Sequence, residues 1–396
     1  MSRSASTGIN GPASVEALTR NAAAVLPAGA LEEKLELGRP LRVKLGIDPT
    51  APDIHLGFAV VLRKLRAFQD AGHQAVLIVG DYTARIGDPS GRSEERPVLA
   101  GDVLDANARL FAQQAYKIID PERTEVRFNG EWLGALSYEK IVELARTVTV
   151  ARLLERDDFH GRFERHEPIS LSELLYPVMQ AYDSIAIEAD VELGGNDQYW
   201  NLLTGRDVME AYGLEPQVVL TMPLLVGTDG KEKMSKSKGN YIGIDDPPEE
   251  QFGKLMSIPD DVLGDYWRLC LDEEPPAAAE PMEAKLELAR RVVSLYHDEA
   301  AAGRAEAHFT RVVREHRAPE EVPEVPLPRQ DPVHLPALLV EHFDGISSTS
   351  EARRLIQQGG VRVDEEIIRE LDVPRDRLAG TLVQAGKRRF MRFSRG

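Results

Sequence analysis

The chain has 396 residues, of which 42% are hydrophobic and 29% charged, and these values are ordinary for a soluble globular protein. Its length predicts two or three domains, and its net charge of −17 argues against a protein that coats nucleic acid over its whole surface. The single cysteine, Cys270, excludes intrachain disulfides and multi-cysteine zinc sites. The sequence has neither a signal-peptide core nor an apolar run of the ~18 residues that a membrane-spanning helix needs, so we expect a soluble, cytoplasmic protein.

Residues 41–79 have the pattern of a βαβ unit. Residues 41–47 alternate as a strand does, apolar residues then recur at helical spacing up to Gly72, and residues 75–79 form an apolar run typical of a buried parallel strand. Asp53 can cap the helix, which places His55 and Gly57 in its first turn. Open α/β sheets bind nucleotides at this edge, and a helix N-terminus attracts phosphate. Read alone, His55 is equally well a helix-capping or half-buried histidine.

The middle of the chain predicts further elements and a small-molecule pocket. We expect a loop at 87–91, a helix over 102–119, a strand at 124–128, a turn at Asn129 and two helices within 137–160. The next helix begins at a capping box of Ser170 and Glu173. Its residues Tyr176, Gln180 and Asp183 share one face in apolar company, which suggests a small-molecule pocket, and a solvated helix face is the other reading.

The lysine loop, residues 231–240, follows two more predicted strands, at 187–193 and 217–226. Between these strands, residues 194–198 lead into a helix that Asp197 can cap, although Asp197 could instead hold a ribose hydroxyl. The lysine loop contains four lysines and almost no apolar residues, so it belongs at the surface. A solvated charge run is one reading of it. Its place at the same sheet edge as His55 favours the other reading, a loop that holds polyphosphate.

After about residue 245 the composition changes twice. Residues 249–315 are charged, alanine-rich and helix-like, and the six prolines within 316–336 predict a semi-rigid linker. Residues 337–396 predict a small α+β unit that is basic compared with the acidic body. Its basic side chains could contact an RNA backbone or simply face solvent, and they are Arg353, Arg354, Lys387, Arg388 and Arg389.

These motifs together resemble class I aminoacyl-tRNA synthetases, most closely the tyrosyl branch of the family. Residues 55–58, His-Leu-Gly-Phe, look like the family's His-Ile-Gly-His motif, and residues 233–237 match its Lys-Met-Ser-Lys-Ser motif letter for letter. Residues 48–50, 87–90, 180–183 and 194–198 are similar to tyrosyl-branch sequence. There are three departures: Phe58 stands at the second histidine, Lys44 where one branch has a tyrosine that touches the substrate phenol, and Asn196 at a common Ser or Thr.

The resemblance implies a fold and a domain order. We expect an α/β chain with a Rossmann-like parallel-sheet catalytic domain at 1–244, interrupted by a helical insertion at about 100–180. A helical anticodon-binding domain at 245–315, the linker at 316–336 and a small α+β RNA-binding domain at 337–396 would follow. The family implies a homodimer joined through the insertion, which contains Phe111, Trp132 and Leu133.

The resemblance also implies ligation of L-tyrosine to tRNA(Tyr) through a tyrosyl-adenylate, with ATP and Mg²⁺ as a substrate complex and no tightly bound metal. The implied catalytic residues are Thr50, His55, Lys233 and Lys236. The implied ATP contacts are Asp48, Gly57, Gly195, Asp197, Gln198, Met234, Ser235 and Ser237. The implied tyrosine contacts are Thr83, Asp88, Asn129, Tyr176, Gln180 and Asp183.

Three alternatives remain open at this stage. Phe58 favours a paralogue that binds or adenylates an amino acid without ligating it to tRNA. The basic C-terminal residues favour an RNA-binding protein without catalysis, which the intact lysines of the lysine loop oppose. A tryptophan-specific relative is the nearest alternative within the class. Asp183 opposes it, because a carboxylate suits a phenolic hydroxyl.

Overall fold

A computed structural model describes residues 12–50, 53–90, 101–277, 279–315, 322–386 and 389–395. The chain divides into two compact units, one within residues 1–247 and 254–292, the other within 248–253 and 293–396. No helix in these described ranges is both long and apolar enough to cross a membrane.

The first unit is built on a sheet of six strands. They are β1 (Ala24–Leu26), β2 (Arg42–Ile47), β3 (Gln74–Val79), β4 (Thr124–Phe128), β5 (Val191–Gly195) and β6 (Val218–Met222). Their order is β1-β6-β5-β2-β3-β4, and all neighbours are parallel except β1, which runs antiparallel to β6 at the edge. β3 and β6 are almost wholly buried, as expected for parallel strands that are covered on both faces.

The helices follow in chain order. The first ten are α1 (Pro12–Thr19), α2 (Ala30–Leu35), α3 (Leu56–Asp70), α4 (Gly101–Ala115), α5 (Gly130–Leu133), α6 (Tyr138–Ala145), α7 (Val150–Leu153), α8 (Asp157–Glu164), α9 (Leu171–Ala186) and α10 (Tyr199–Ala211). The remaining seven are α11 (Pro248–Ser257), α12 (Leu263–Tyr266), α13 (Pro281–Tyr296), α14 (Glu299–Phe309), α15 (Leu335–His342), α16 (Thr349–Gln357) and α17 (Arg375–Leu378). The boundary between the two units runs within α11 and α13.

The order of the strands fixes where a ligand can bind. From β2 the chain moves outward to β3 and β4, and it then returns to place β5 on the other side of β2. The connections that leave the carboxyl ends of β2 and β5 therefore diverge and open a crevice between them. In open α/β sheets, ligands bind at this switch point. His55 follows β2, and Asp197 follows β5, so the topology brings both to the crevice.

Several sequence expectations about the elements need correction. The side chain of His55, and not that of Asp53, caps α3, and Asp197 makes no cap for α10. The strand expected at 187–193 begins only at Val191, and residues 137–160 contain parts of three helices instead of two. Asn129 precedes the short helix α5 instead of forming a plain turn. The capping box of Ser170 and Glu173 is confirmed, and Pro177 lies inside α9 without ending it.

The second unit contains two small sheets. Strands β7 (Glu324–Pro326), β9 (Val361–Val363), β10 (Glu366–Ile367), β12 (Leu382–Ala385) and β13 (Arg389–Ser394) form one, in the order β10-β9-β12-β13-β7. Strands β8 (Val333–His334) and β11 (Asp372–Val373) form the other. Two of these strands, β7 and β8, fall within the stretch that the prolines marked as a linker, and Leu327 belongs to the same buried cluster as Leu339 and Phe393.

Candidate active site

A cleft of about 530 Å³ lies at the carboxyl edge of the sheet in the first unit. It is lined by residues that follow β2, β3, β5 and β6. The structure brings together here every residue that the sequence assigned to catalysis, ATP or tyrosine. They are Asp48, Thr50, His55, Gly57, Thr83, Asp88, Asn129, Tyr176, Gln180, Asp183, Gly195, Asp197, Gln198, Lys233, Met234, Ser235, Lys236 and Ser237.

His55 is held in a single hydrogen-bonding state at the start of α3. Its Nδ1 accepts a hydrogen bond from the backbone N–H of Phe58 at 3.3 Å. Burial, and then the charges of Lys236 and Lys233, lower the pKa of His55 to about 4. The ring is therefore neutral at pH 7, and because Nδ1 accepts, the ring hydrogen must be on Nε2. His55 can thus donate a hydrogen bond from Nε2 while its other nitrogen caps the helix.

Phe58 contributes an apolar wall to the cleft. Its ring packs edge-on against Phe111, with centroids 5.2 Å apart, and both side chains line the cleft. The neighbouring Gly57 directs its N–H at the Met234 sulfur, 3.4 Å away. At this point the first turn of α3 and the lysine loop are in direct contact.

The lysines of the lysine loop already face acidic partners. Lys233 Nζ lies 2.8 Å from Asp197, and Lys236 forms an ion pair with Asp53. Asp53 therefore acts as a partner of the loop and not as a helix cap. Both pairs are partly exposed to solvent, so each contributes little to stability and can exchange for another anion.

Backbone hydrogen bonds hold the lysine loop at Met234 and hold the segment that follows the loop. The N–H of Met234 donates to Leu225 at 2.8 Å, that of Leu56 to Ile242 at 2.9 Å, and that of Ile244 to Ile54 at 2.9 Å. The buried Asn240 accepts a hydrogen bond from Ser235 N–H at 2.9 Å. Sequence reasoning assigned Asn240 no role, since nothing in its local pattern distinguishes it from a polar loop residue.

Asp183 is the buried acceptor at one end of the cleft. Its carboxylate is 3% exposed and takes hydrogen bonds from Trp132 Nε1 at 2.8 Å and from Asn129 Nδ2 at 3.3 Å. Burial raises the pKa of Asp183 to about 6, although the nearby Lys44 ammonium and these two donors act in the opposite direction. A carboxylate has about four lone-pair directions, so it retains capacity for a further donor. Trp132, expected at a subunit interface, is thus a partner of Asp183.

Asp48 and Tyr176 join this group through a chain of hydrogen bonds. The Tyr176 hydroxyl donates to Asp48 at 3.0 Å, and burial raises the pKa of Tyr176 well above its usual range, so the phenol stays protonated. Thr83 donates to the other oxygen of Asp48 at 2.7 Å and accepts from Asn129 at 3.0 Å. Gly80 is necessary beside them, because an added Cβ would lie 2.1 Å from Asp48 and 2.3 Å from Thr83.

Lys44 does not face open solvent, and its ammonium group is not a free charge at the cleft. Its side chain is fully buried, and Nζ donates to Glu192, to Ser184 and to the carbonyl of Gln180, each at 2.8 Å. Gln180 also donates to Glu192 at 3.2 Å. The ion pair of Lys44 and Glu192 therefore fixes both the backbone and the side chain of Gln180. Glu192 lies 148 residues from Lys44 in sequence, so its partnership could not be read from local spacing.

Asp88 lies at a different wall of the cleft and is also multiply bonded. It accepts from the Ser90 N–H at 2.9 Å and from Gln198 Nε2 at 2.7 Å. Gln198, which the sequence assigned to ATP, is therefore bonded to a residue assigned to the substrate ammonium. Local sequence patterns cannot reveal this pairing, because 110 residues separate the two.

The basic residues of the second unit are described in part. Arg353 and Arg354 are exposed on α16, whose N-terminus is capped by Ser348. Arg389 donates to the carbonyl of Asp344 at 3.0 Å. The other two candidate RNA contacts, Lys387 and Arg388, lie outside the described residues.

Comparisons with known proteins identify related families and relatives. The family described as tRNA synthetases class I (W and Y) matches residues 36–313, and the S4 domain matches residues 345–373. The chain is 49% identical to the tyrosine--tRNA ligase of Thermotoga maritima over 393 residues, which covers 96% of this chain and 97% of that protein. It is 49% identical to the tyrosine--tRNA ligase of Moorella thermoacetica over 392 residues, or 95% of this chain and 94% of that protein.

The fold is also found among solved structures. The tyrosyl-tRNA synthetase from Archaeoglobus fulgidus complexed with L-tyrosine superposes with a TM-score of 0.61 at 24% identity, covering 73% of this chain and 98% of that chain. At this identity the likeness concerns the fold alone. The family match, together with the near full-length relatives, leads to one conclusion: the chain belongs to the class I tRNA synthetases, in the family of the tryptophan and tyrosine enzymes.

Proposed function

We propose that this chain ligates L-tyrosine to tRNA(Tyr) at the expense of ATP, in two steps through a tyrosyl-adenylate, with release of diphosphate and AMP. One observation carries the proposal. A single cleft joins the neutral His55 and the lysines of the lysine loop to the buried carboxylate of Asp183. The cleft thus offers groups suited to nucleotide chemistry and to phenol recognition to the same ligand. Relatives that are tyrosine ligases support tyrosine over tryptophan as the substrate.

The amino acid occupies the wall formed by α9 and the loop after β3. Asp183 accepts the phenolic O–H, and Asp88 accepts from the ammonium group, with Tyr176 and Gln180 beside it. Thr83 and Asn129 hold the carboxylates of Asp48 and Asp183 in place, since each donates to one of them. Asn129 therefore orients the acceptor for the phenol, and Thr83 orients Asp48, which in turn accepts from Tyr176.

ATP occupies the crevice between β2 and β5. Asp197 and Gly195 take the ribose, with Gly57, Met234, Ser235 and Ser237 along the phosphates. When ATP enters, Lys233 exchanges Asp197 for phosphate oxygens, which frees that carboxylate for the ribose hydroxyls. Lys236 leaves Asp53 in the same way. The acidic partners thus hold the lysine loop close to its working position before the nucleotide arrives.

In the first step an oxygen of the tyrosine carboxylate attacks the α-phosphorus of ATP. The bond from this phosphorus to the bridging oxygen breaks, and diphosphate leaves with the bonding electrons. Such a reaction needs positioning and charge stabilisation more than covalent help from the protein. Thr50 and the Nε2–H of His55 donate to phosphate oxygens, and Lys233 and Lys236 neutralise the leaving diphosphate. Mg²⁺ enters bound to ATP, with phosphate oxygens as its main ligands.

In the second step a terminal ribose hydroxyl of the tRNA attacks the carbonyl carbon of the adenylate, and AMP leaves. The exposed arginines Arg353 and Arg354 of the S4-containing unit are candidates for contacts to the tRNA backbone, as are Arg389, Lys387 and Arg388. We retain residues 245–315 as the anticodon-binding helical domain, and the insertion at about 100–180 as the site of homodimer contact.

Pyrophosphate exchange tests the function directly. Each proteinogenic amino acid is supplied with ATP and labelled diphosphate, with and without tRNA. We expect exchange that depends on tyrosine and requires no tRNA, and transfer of labelled tyrosine to tRNA when it is added. Exchange driven by tryptophan, or exchange without transfer to tRNA(Tyr), would contradict the proposal.

A further inference from the structure

Arg156 is a buried arginine of the helical insertion that is connected through Asn201 to Gln198, a residue that lines the cleft. It is 2% exposed and lies between α7 and α8. Its charge is balanced by Asp158, which it contacts through Nε at 3.1 Å and Nη2 at 2.8 Å. Two further donor contacts go elsewhere: Nη1 to Asn201 Oδ1 at 2.6 Å, and Nη2 to Ser90 Oγ at 3.3 Å.

These contacts determine which way the amide of Asn201 faces. A guanidinium has only donors, so the Asn201 atom that faces Arg156 must be the oxygen. The amide nitrogen of Asn201 then points away from Arg156. It donates to Gln198 Oε1 and Ser90 Oγ, both at 3.0 Å, and lies 3.4 Å from Asp88 Oδ1.

The orientation is passed on to a second amide. Because the oxygen of Gln198 accepts from Asn201, its nitrogen must face the other way, and it donates to Asp88 Oδ2 at 2.7 Å. The opposite orientation of Gln198 would place an amide oxygen against a carboxylate oxygen, which is repulsive. Asp88 is therefore held by donors on both oxygens, from Ser90 N–H and Gln198, and keeps its remaining lone pairs for a ligand.

We propose that Arg156 is a positioning residue for recognition of the substrate ammonium group. It sets the orientation of Asn201, and through Asn201 that of Gln198, so that Asp88 presents a fixed acceptor to the ammonium. This proposal rests on the proposed function, in which Asp88 accepts from that ammonium. In this proposal the helical insertion helps to recognise the ammonium group of the amino acid, in addition to the recognition of its phenol by Asp183.

The arrangement requires the geometry of an arginine. Its planar fork serves Asp158, Asn201 and Ser90 at the same time. A lysine at this position keeps the charge but offers one nitrogen, which cannot reach three partners in fixed directions. Arg156→Lys should therefore keep the buried charge paired with Asp158 while it releases the two amides.

Three ligands separate recognition of the ammonium from support of the fold. L-Tyrosine has an ammonium and a carboxylate, tyramine has only the ammonium, and 3-(4-hydroxyphenyl)propionate has only the carboxylate. Inhibition constants of the last two against tyrosine-dependent pyrophosphate exchange, and the KM for tyrosine, are measured for each variant of the full chain. For Arg156→Lys we expect constants for tyrosine and tyramine to rise about tenfold, the effect of one charged hydrogen bond, and that of the propionate by less than about twofold.

Three further variants serve as controls for this result. Arg152→Lys, an exposed arginine in α7 that pairs with Glu155, should change none of the constants. Arg162→Lys, a buried arginine that pairs with Glu173, should change all three by the same factor if it changes them at all. Asp88→Asn should separate tyramine from the propionate at least as strongly as Arg156→Lys.

Each result decides the proposal. Equal changes for all ligands in Arg156→Lys, or no change, overturn it while Asp88→Asn still separates the ligands. If Asp88→Asn fails to separate the ligands, Asp88 does not bind the ammonium group and the proposal is wrong. Tyrosine-dependent exchange by the unaltered chain tests the proposed function independently. If Arg156→Lys does not fold, Asn201→Ala removes the same relay one step closer to Asp88 and must give the same selective loss.

Discussion

Asp183 should decide between tyrosine and phenylalanine. Phenylalanine would leave its buried carboxylate without a ligand donor, and an unpaired buried acceptor costs about 1–3 kcal/mol, or more when it is charged. We expect Asp183→Ala to lose most of the preference for tyrosine in kcat/KM, measured with both amino acids. Asp88→Asn is the matched control, because both substrates have an ammonium group and both should lose activity alike. Unchanged discrimination by Asp183→Ala would remove Asp183 from the phenol site.

The same carboxylate should make discrimination depend on pH. The pKa of Asp183 is raised to about 6 in the folded protein, so the group is ionised above that pH and protonated below it. An ionised carboxylate is the stronger acceptor for a phenol, so the ratio of kcat/KM for tyrosine to that for phenylalanine should fall as pH falls through about 6. His55, with a pKa of about 4, does not titrate in this window. Asp183→Asn should abolish the dependence, and a ratio that is constant from pH 5 to 8 in the parent would contradict the assignment.

The raised pKa has the opposite sign for stability. Since the pKa of about 6 in the folded protein lies above the ordinary aspartate value of 3.8, Asp183 favours the folded state when protonated, and this contribution is lost as pH rises through about 6. Asp183→Asn should therefore raise the Tm, relative to the parent, more at pH 8 than at pH 4. Thermal scans of both proteins at the two pH values measure the difference. A larger gain at pH 4 would mean that the carboxylate is better stabilised in the fold than its burial implies.

At the scale of single residues, sequence analysis identifies the side chains of the site better than it identifies their hydrogen-bond partners. Tyr176, Gln180 and Asp183 share a helix face, and helical spacing alone places them together. Trp132 and Arg156 were missed as site residues because their partners lie 51 and 45 residues away. Contacts of this kind depend on the tertiary fold, and no local pattern encodes them.

Among the elements, the lysine loop should act in the chemical step. Lys233→Ala and Lys236→Ala each remove a cation from the developing charge, so we expect single-turnover adenylate formation to slow by about 10²–10³ with little change in tyrosine affinity. Lys238→Ala is a suitable control, because Lys238 belongs to the same loop but pairs with Glu232 instead of lining the cleft. If all three variants keep the parent rate, the loop is only a solvated charge run.

Element boundaries show where sequence reasoning loses precision. The apolar periodicity of α3 and the apolar runs of β3 and β6 are strong signals, because burial on one or both faces fixes them. The first residue of α3 was placed too early because Asp53 is a good cap by residue type, whereas in the fold it is paired with Lys236. The short edge strand β1, with three residues, carries too little pattern to be predicted.

For the whole molecule, removal of the C-terminal residues should separate the two steps. The cut belongs after residue 315 and not after 336, because β7 and β8 pair within the sheets of the second unit. We expect the shortened chain to retain tyrosine-dependent pyrophosphate exchange and to lose most tRNA charging. Circular dichroism checks that it is folded. Loss of exchange in a folded chain would show that adenylation needs the removed residues.

The proposed homodimer can be tested through exposed apolar residues of the insertion. Phe111 and Leu133 are buried within the chain, so they are not available to a second copy, whereas Leu171 at the start of α9 is 72% exposed. Sedimentation at micromolar concentration should give twice the chain mass of 43.9 kDa. Leu171→Asp should shift the protein toward monomer, and Leu37→Asp, at an exposed residue outside the insertion, should not. A parent protein that sediments as a monomer would rule out the dimer.

Backbone hydrogen bonds at Met234 and just after the lysine loop limit how far its lysines can move. The amides of Leu56, Met234 and Ile244 donate to backbone carbonyls, so they should exchange with deuterium only when these hydrogen bonds open. The segment from Lys236 to Gly239 is a single short turn, of which Lys236 and Ser237 line the cleft, and it should exchange much faster. We infer that closure over ATP, as in the proposed function, reorders this one turn while the sheet stays intact. A motion this small can recur in every catalytic cycle on the microsecond-to-millisecond timescale.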